Sequence, residues 1–571
     1  MNVAELIAEC LIRLGVRHTF GVGGANIEDL FLAIQRRRPQ LRAILCKHEH
    51  AAGTAADAYA RLSGGLGVVL VTSGGGAMNL VHSVAEARAS RVPLLALVGE
   101  PPSEQQGRGA FQDTSGRNGA VDAAAVFGAL TPDCVRIREP RELFPWIERI
   151  SSAPPSEWTG PRVLLLAKDI QRAELTPPDD WWQRRAPPRA AAGASDTELE
   201  SLASVLDARP LVIIAGAEVA RRGARAALAR LAERADADVV VAPDARDAFE
   251  NDHPRFAGVV GAMGQASALR VVARARSLLI VGTRLALLER LGIEGSLEGK
   301  PIVHLGSEAP YVPSQARLQS GASLTADLMG LSRRLAERRS ASSGPGERDP
   351  ANADPALEAL PADSAALRSP AVLELLQKCW PDAATVLVDA GNTGASAVYH
   401  LHAPRAGRWL LAMGMAGMGY TYGAAIGAAF ATGRRVFVVS GDGAFFMHGL
   451  ETHTAVEHQL PITYLVLDNA AHGMCLVREK LLLGESSGYN GFRRSHLGAG
   501  LAAMFPGLPA FDCTSLEQLA RALEHCGGSG GPCFVSAQLP EIEVPPFAAF
   551  AGARARGLLT LERDSAEGGV S

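Results

Sequence analysis

The chain has 571 residues, a length that predicts about three or four domains rather than one. Hydrophobic residues make up 47% and charged residues 20%, so a globular protein with ample core is expected. The net charge of −4 gives no basis for a nucleic-acid or membrane-surface partner, and no uncharged stretch approaches the roughly twenty residues of a membrane span.

The N-terminal segment places Glu5 and Glu9 in an amphipathic helix pattern, which is not the pattern of a signal peptide. The eight cysteines are scattered, without a CxxC pair or zinc-finger spacing. Free thiols in a reducing, cytoplasmic setting are therefore predicted.

Short apolar runs alternate with helical patterns along most of the chain, and stretches rich in Pro, Ala, Arg or Ser interrupt this alternation twice. The predicted boundaries are 1–176, 196–335 and 367–546 for three α/β segments, 336–366 for a linker and 547–571 for a C-terminal tail. Alternation of this kind predicts an α/β fold class with three doubly wound parallel-sheet domains.

The sequence Gly441-Asp442-Gly443 stands between a predicted strand at 435–440 and a predicted helix at 447–458. Asn469 follows the next predicted strand, 462–467, so Asp442 and Asn469 are expected at one edge of a parallel sheet. Their oxygens suit Mg²⁺, and a glycine-rich turn before a helix suits a diphosphate. By itself the triplet could also be a simple strand-to-helix turn.

The combination of GDG and a downstream Asn resembles the thiamin diphosphate (ThDP) binding motif. A second stretch, from Lys47 to Ala87, has Glu49 before an alanine-rich helix ending in DxYAR, then a strand and a TSGPGxxN-like turn. The matching positions are Asp57, Tyr59, Ala60, Arg61, Thr72, Ser73, Gly74, Gly76 and Asn79, with Gly75 in place of the usual Pro. The chain thus resembles the ThDP-dependent family of acetolactate synthases, pyruvate oxidases and 2-oxo acid decarboxylases, and acetolactate synthase-like carboligases most closely.

The resemblance implies a pyrimidine-binding, a central and a diphosphate-binding domain, and a role for each matched residue. Glu49 would bond the pyrimidine N1′ in an apolar pocket that raises its pKa; otherwise it is an ordinary first-turn acid. Metal ligands would be Asp442, Asn469 and the carbonyl of Ala471, whereas Asp468 replaces the family's usual first Asn. The implied cofactor-binding residues are Gly24, Ala25, Ser73, Asn79, Asn392, Ala416, Met418, Gly441, Gly443, Ala444, His472, Gly473 and Met474.

Within that set, Met418 would be the apolar wedge under the bent cofactor, or simple core filler. The carbonyl of Ala416 would accept from the aminopyrimidine. His472 would reach the diphosphate, with a structural histidine as the alternative. The segment from Asp389 to Asn392 would lie beside the diphosphate.

Two positions bear on the reaction. Simple pyruvate decarboxylases carry an Asp where this chain has Ala25, and a His pair in a later loop that here reads Gly109 to Asp113. Phe111 and Gln112 instead resemble acetolactate synthase, where they would pack against the substrate and polarise a carbonyl; a surface loop without chemistry is the alternative. The resemblance implies decarboxylation of a 2-oxo acid, by default pyruvate, and carboligation of the resulting carbanion to a second carbonyl compound.

Other readings stay open. A non-ligating decarboxylase would use His48, His50 or His472 as proton donor, and a catalytically silent ThDP-binding subunit is a third hypothesis. The segment from Cys475 to His496 departs from the family. The end of this segment could form an active-site lid in which Arg493 or Arg494 binds a carboxylate. Alternatively, it could be a solvated loop.

Two further implications concern cofactor and assembly. The sequence Val281-Gly282-Thr283-Arg284 resembles the GxR near the flavin of several relatives, so FAD is a candidate cofactor, although a full GxGxxG fingerprint is absent. In relatives, the pyrimidine domain of one subunit faces the diphosphate domain of another. The resemblance therefore implies a homodimer or homotetramer with active sites at subunit interfaces.

Overall fold

The computed structural model describes residues 1–178, 181, 193–312, 317–320, 323–341 and 367–547, with the backbone alone at 317–320 and 339–341. Three six-stranded sheets organise these residues, and all neighbouring strands within them are parallel. The predicted fold class, three parallel-sheet α/β domains, is confirmed. The predicted tail and most of the predicted linker lie outside the described residues.

The first domain has the strand order β2-β1-β3-β4-β6-β5. Its strands are β1 (His18–Gly21), β2 (Arg42–Leu45), β3 (Gly67–Val71), β4 (Leu94–Glu100), β5 (Cys134–Ile137) and β6 (Arg162–Ala167). Its helices are α1 (Val3–Arg13), α2 (Glu28–Gln35), α3 (Glu49–Ser63), α4 (Gly75–Ala89), α5 (Ala123–Leu130), α6 (Leu143–Ser151) and α7 (Lys168–Arg172). The helix α3 begins at Glu49 because His48 caps it through the backbone N–H of His50, and it ends at Gly64 in a left-handed conformation.

The central domain has the order β12-β11-β10-β7-β8-β9, the doubly wound order of dinucleotide-binding folds. Its strands are β7 (Leu211–Ala215), β8 (Asp238–Val241), β9 (Phe256–Val259), β10 (Ser277–Val281), β11 (Ile302–Gly306) and β12 (Arg317–Ser320). Its helices are α8 (Asp196–Val205), α9 (Glu218–Arg221), α10 (Arg225–Ala235), α11 (Ala266–Arg274), α12 (Leu287–Arg290), α13 (Glu294–Leu297) and α14 (Leu324–Ala341). The helix α14 extends into the first six residues of the predicted linker.

The third domain has the order β14-β13-β15-β16-β18-β17. Its strands are β13 (Thr385–Val388), β14 (Arg408–Leu411), β15 (Val436–Gly441), β16 (Ile462–Asp468), β17 (Ala510–Cys513) and β18 (Cys533–Gln538). Its α-helices are α15 (Ser369–Cys379), α16 (Asn392–His400), α17 (Tyr420–Thr432), α18 (Asp442–His448), α19 (Thr452–Glu457), α20 (Gly473–Arg478), α21 (Leu497–Met504) and α22 (Leu516–Gly528). The predicted helix at 447–458 is wrong in its extent: the helix starts at Asp442, and a 3-10 turn at Gly449–Glu451 divides it, where Gly449 packs against the ring of Phe445.

The first and third domains pack directly on each other through α3 and α17. Gly423 and Gly427 of α17 lie against the backbone of α3, where a Cβ on either glycine would overlap the carbonyl oxygen of Ala51 or Ala55. One continuous apolar core therefore includes residues of both domains. In the parts of the chain that the structure describes, no helix combines the length and apolar character needed to cross a membrane.

Candidate active site

An open cleft of about 730 Å³ lies at the carboxyl edge of the third sheet. The strand order reverses between β13 and β15, and residues after these two strands line the cleft, as expected for a parallel sheet. Of the third-domain residues implied as metal ligands or cofactor-binding residues, only Ala416 is not among the lining residues. Those that line it are Asn392, Met418, Gly441, Asp442, Gly443, Ala444, Asn469, Ala471, His472, Gly473 and Met474. The structure thus brings residues from four separate parts of the domain together.

Two buried carboxylates stand side by side at the base of the cleft. The Asp442 carboxylate accepts from the backbone N–H of Ala470 at 2.7 Å and of Gly443 at 3.1 Å. Burial and the neighbouring Asp468 carboxylate raise the pKa of Asp442 to about 7. Asp468 Oδ2 is buried and has no hydrogen-bond partner among the described residues. Like charges at such a place favour a bound cation, so the donor set fits Mg²⁺.

Asn469 supplies the neutral part of the same donor set. Its amide Nδ2 donates to the carbonyl of Glu541 at 2.9 Å, which leaves Oδ1 as the atom that can accept or coordinate. The amide nitrogen also lies close to Gly473, at the start of α20. Asn469 and Ala471 both line the cleft beside Asp442.

The upper part of the cleft suits an anion. Three helices, α16, α18 and α20, begin at its lining residues, so their free N–H groups and dipoles converge there. Asn392 Oδ1 and His472 Nδ1 are buried without a hydrogen-bond partner in the described part of the chain. Gly443 lies so close to the His472 ring that a Cβ would stand 2.7 Å from Nδ1. These polar atoms without partners and the glycine backbone fit a diphosphate.

The turn before α17 carries Ala416 and Met418. Ala416 is exposed and has a left-handed backbone with φ of 52°. Asp389 fixes the end of this turn, because its carboxylate accepts from the N–H of Gly419 at 3.0 Å and from the hydroxyl of Thr421 at 2.6 Å. Of the segment from Asp389 to Asn392, which was expected beside a diphosphate, the last three residues line the cleft.

The first-domain candidates gather at the carboxyl edge of their own sheet. The Glu49 carboxylate accepts from Asn79 Nδ2 at 2.9 Å, and its other oxygen lies against Gly76. Gln112 has a left-handed backbone with φ of 57° and packs on Gly74. Phe111 beside it is 78% exposed. Glu49, Asn79 and Gln112 therefore share one surface.

The remaining first-domain candidates form the floor of that surface. Ser73 accepts from Asn26 Nδ2 at 2.7 Å, and Gly24 packs against the side chain of Thr72. Ala25 is exposed, and its carbonyl accepts from the ammonium of Lys168 at 2.6 Å. The turns after β1 and β3 are thus fixed to one another.

The two groups of candidates do not form one cavity within a chain. No described first-domain residue is among those that line the third-domain cleft. What connects them is a cluster of four histidines, which the sequence did not predict; its only signal was the His-Glu-His pattern at 48–50. The rings of His48 and His50 contact His448 at the end of α18, and His50 Nε2 lies 2.8 Å from His82 Nδ1.

The environment of this cluster favours neutral imidazoles. His50 is buried, and burial followed by the neighbouring histidines lowers its pKa to about 2. Burial and His48 lower the pKa of His448 to about 4. His50 therefore faces the interior of its own chain and is a poor candidate for a proton donor to substrate.

The segment after α20 is tied to the turn that follows β16. The backbone N–H of His472 donates to the carbonyl of Asn490 at 2.9 Å, and that of Phe492 donates to the carbonyl of Ala470 at 2.9 Å. Arg494 donates to the carbonyls of Asp468 and Leu539 and lies 3.4 Å from the Asp468 carboxylate. Arg494 is thus engaged by the protein, whereas Arg493 is exposed.

The carboxyl edge of the central sheet, where FAD was a candidate, carries both buried acids and arginines. Glu218 is buried three residues after β7, and its carboxylate accepts from the hydroxyl of Ser307 and lies 3.8 Å from Arg221 and 3.5 Å from Arg222. Burial and then Glu289 raise the pKa of Asp244 to about 7. Thr283 donates to Glu289 at 2.6 Å.

Comparison with known protein families gives three matches along the chain. The N-terminal TPP binding domain of thiamine pyrophosphate enzymes matches residues 1–120, their central domain matches 200–312, and their C-terminal TPP binding domain matches 389–537. Thiamine pyrophosphate is another name for ThDP. The matched ranges contain Glu49 and the Gly441-Asp442-Gly443 turn that lines the cleft.

Characterised relatives share about a quarter of their residues with this chain. The acetolactate synthase isozyme 1 large subunit of Escherichia coli (strain K12) is 27% identical over 497 residues, which is 84% of this chain and 83% of that protein. A probable acetolactate synthase large subunit of Methanocaldococcus jannaschii is 26% identical over 506 residues, 85% and 83% of the two chains. A sulfoacetaldehyde acetyltransferase of Alcaligenes xylosoxydans xylosoxydans is 26% identical over 509 residues, 83% and 82%.

Proposed function

We propose that this chain, which belongs to the thiamine pyrophosphate enzyme family, decarboxylates a 2-oxo acid and joins the remaining acyl fragment to a second carbonyl compound. Pyruvate is the default donor. The acceptor is a second 2-oxo acid, an aldehyde or a ketone. The names of relatives, acetolactate synthase and sulfoacetaldehyde acetyltransferase, support transfer to an acceptor.

The observation that carries the proposal is the chemistry of three residues in the turns of the first domain, Ala25, Phe111 and Gln112. Gln112 packs on Gly74, two residues before the Gly76 that Glu49 contacts, and none of the three side chains can release a proton at neutral pH. A carboligase must keep proton donors away from the acyl fragment until the second carbonyl arrives. In this proposal, Phe111 packs against the acceptor, and the Gln112 amide donates to its carbonyl oxygen.

Cofactor binding is assigned to the chain's own residues as follows. Bound ThDP supplies the electron sink that decarboxylation of a 2-oxo acid requires. Asp442, Asn469 and the carbonyl of Ala471 hold Mg²⁺, while the converging helix N-termini and His472 hold the diphosphate. Met418 supports the bend of the cofactor, and the carbonyl of Ala416 accepts from the aminopyrimidine. Glu49 holds and returns a proton at the pyrimidine nitrogen.

Assembly follows from the separation of the two half-sites. Because the cleft takes no lining residue from the described first domain, we infer that Glu49 completes the cleft of a second copy, in a homodimer or homotetramer. Exposed apolar side chains next to both half-sites support a covered surface. They are Leu45, Phe111, Phe446, Met447 and Leu450, each about half exposed or more.

Compartment and flavin content are further parts of the proposal. The eight cysteines are free thiols, which supports a cytoplasmic location. FAD remains a candidate cofactor from the sequence alone. An absorbance scan of the purified protein between about 350 and 500 nm, the range in which flavins absorb, tests whether FAD is bound.

The experiment for the reaction is product analysis. The protein is incubated with pyruvate, ThDP, Mg²⁺ and a panel of carbonyl acceptors, and products are identified by mass spectrometry. Ligated hydroxy-ketones or hydroxy-oxo acids are expected. Free acetaldehyde as the sole product would overturn carboligation in favour of the non-ligating decarboxylase, for which His472 is the cleft-lining group able to donate a proton.

A further inference from the structure

Two buried carboxylates, one in the first domain and one in the third, each accept hydrogen bonds from the main chain of the other domain. Glu86, on α4 of the first domain, accepts from the backbone N–H of Met415 at 2.5 Å and of Gly414 at 3.2 Å. Glu451, which follows α18 in the third domain, accepts from the backbone N–H of Lys47 at 3.0 and 3.3 Å. Each acid thus binds the main chain of a turn in the other domain.

Glu86 is 1% exposed and is held on its own side by Arg61 at 3.0 Å and by the hydroxyl of Ser90 at 2.7 Å. Burial would raise the pKa of Glu86, but Arg61 and these hydrogen bonds lower it below its usual value. An ionised carboxylate accepts strongly from N–H groups. The turn that it binds leads directly to Ala416 and Met418, and Asp389 fixes the far end of that turn.

Glu451 is 3% exposed and also accepts from the hydroxyl of Thr454 at 2.6 Å. The Lys47 side chain pairs separately with Glu457 at 2.7 Å, so the bond to Glu451 is made by the Lys47 main chain. Two residues after Lys47 the chain reaches Glu49. Glu451 therefore fixes the turn from which the proposed catalytic acid projects.

We propose that Glu86 and Glu451 are reciprocal positioning residues of the cofactor site. Glu86 sets the turn that carries the Ala416 carbonyl and Met418, and Glu451 sets the direction of Glu49. The inference rests on the proposed ThDP site and not on which product is formed. The helix α4 carries both Glu86 and Asn79, the partner of Glu49, about two helical turns apart, so a single rigid element contacts both turns.

Equilibrium binding to the full-length apoprotein tests the proposal without turnover. Titration calorimetry with Mg²⁺ uses two probes: ThDP, and an analogue in which C–H replaces the pyrimidine N1′. Only ThDP can bond Glu49 at that position, so the ratio of the two affinities reports the placement of Glu49. A loss of affinity for both probes reports a change in the position of the turn at 414–418.

The two variants should differ in pattern. Glu86→Gln is expected to weaken both probes by on the order of tenfold, with their ratio unchanged, because a charge-assisted acceptor of two N–H groups is lost. Glu451→Gln is expected to lower the ratio by a similar factor, with the affinity for the analogue unchanged. One matched control is Ser90→Ala, which removes a bond to the Glu86 carboxylate but none to the turn at 414–418. The other is Glu457→Gln, which removes the pairing with the Lys47 side chain but leaves the bond between Glu451 and the Lys47 main chain. Both should bind as wild type.

Several outcomes would overturn the proposal. One is that Glu86→Gln and Glu451→Gln both bind the two probes with wild-type affinity. Another is that each of the two variants loses the same affinity for ThDP and for the analogue, which would indicate general destabilisation. If Glu86→Gln does not fold because Arg61 keeps only its pairing with Asp57, Glu86→Asp is the second variant. It keeps the charge but is too short to reach the turn, and should show the same loss. A wild-type protein that binds both probes equally would overturn the Glu49 assignment itself, whereas formation of acetaldehyde alone would leave the present inference intact.

Discussion

The first and third domains have the same strand order and use the same edge of the sheet, yet they provide different chemistry. At the third-domain edge, glycines, helix N-termini and an acid pair form a cleft. At the first-domain edge, Glu49, Asn79 and Gln112 share one surface, and none of them lines the third-domain cleft. The same topology therefore places candidate residues at the same edge of both sheets, and in the proposed function the side chains in the turns decide whether that edge holds the cofactor or acts on it.

If the first domain contributes more to chemistry than to affinity, Glu49→Gln should reduce turnover by at least about a hundredfold while ThDP binding changes far less. The amide cannot share a proton with the pyrimidine nitrogen. The kcat is measured at saturating ThDP, and binding is measured by calorimetry. Glu28→Gln, at the first turn of α2, is the matched control for an ordinary first-turn acid. Activity of Glu49→Gln equal to that of the control would refute the assigned role.

If the third domain supplies affinity, Asp442→Asn should weaken Mg²⁺-dependent ThDP binding on the order of a hundredfold, because a carboxylate ligand to the metal is removed. Asp468→Asn is the informative control, since an Asn at that position is the usual residue of the family that this chain resembles. We expect it to bind nearly as tightly as wild type. Equal losses in both variants would mean that Asp468 is also a ligand.

The histidine cluster joins the two regions and should make their contact sensitive to acid. The pKa of His50 and of His448 is lowered in the folded chain, so below about pH 6.5 the unfolded chain binds more protons than the folded chain. Stability should fall as the pH decreases from about 6.5 towards 4, by up to about 1.4 kcal/mol per pH unit for each imidazole that stays neutral.

Denaturant unfolding at several pH values measures this slope, with His50→Gln compared to wild type. The variant should show a shallower fall in the free energy of unfolding, because one neutral buried imidazole is absent. His525→Gln, outside the cluster, should leave the slope unchanged. Equal slopes for wild type and His50→Gln would show that the cluster does not govern the acid sensitivity of this contact.

The smallest effect is expected at the exposed rim of the first-domain surface. Phe111 is 78% exposed within one chain, so Phe111→Ala should leave no cavity in the core of that chain. We expect a change of several-fold, up to about tenfold, in the ratio of products formed from competing acceptors, because loss of apolar contact alters acceptor binding. Val121→Ala, also an exposed apolar residue of this domain, is the control. An unchanged product ratio would favour the surface-loop interpretation.

Much of the fold was predictable from local patterns. Buried parallel strands appear in the sequence as apolar runs. The GDG triplet, Asn469 and the residues after them follow such runs, so the parallel arrangement brings these residues together at one edge of the sheet. Helix extents were harder. The division of the predicted helix at 447–458 depends on how Gly449 packs against Phe445, which no local pattern reveals.

The sequence by itself determined the family, the three-domain α/β class and the cleft residues of the third domain, because each rests on contiguous motifs and strand-end positions. Only the tertiary structure decided that Asp389 anchors the turn before α17, that Asp468 engages Arg494, and that Glu86 and Glu451 cross between domains. These contacts join residues far apart in the chain, and a buried carboxylate finds its partner only after the apolar faces around it have packed.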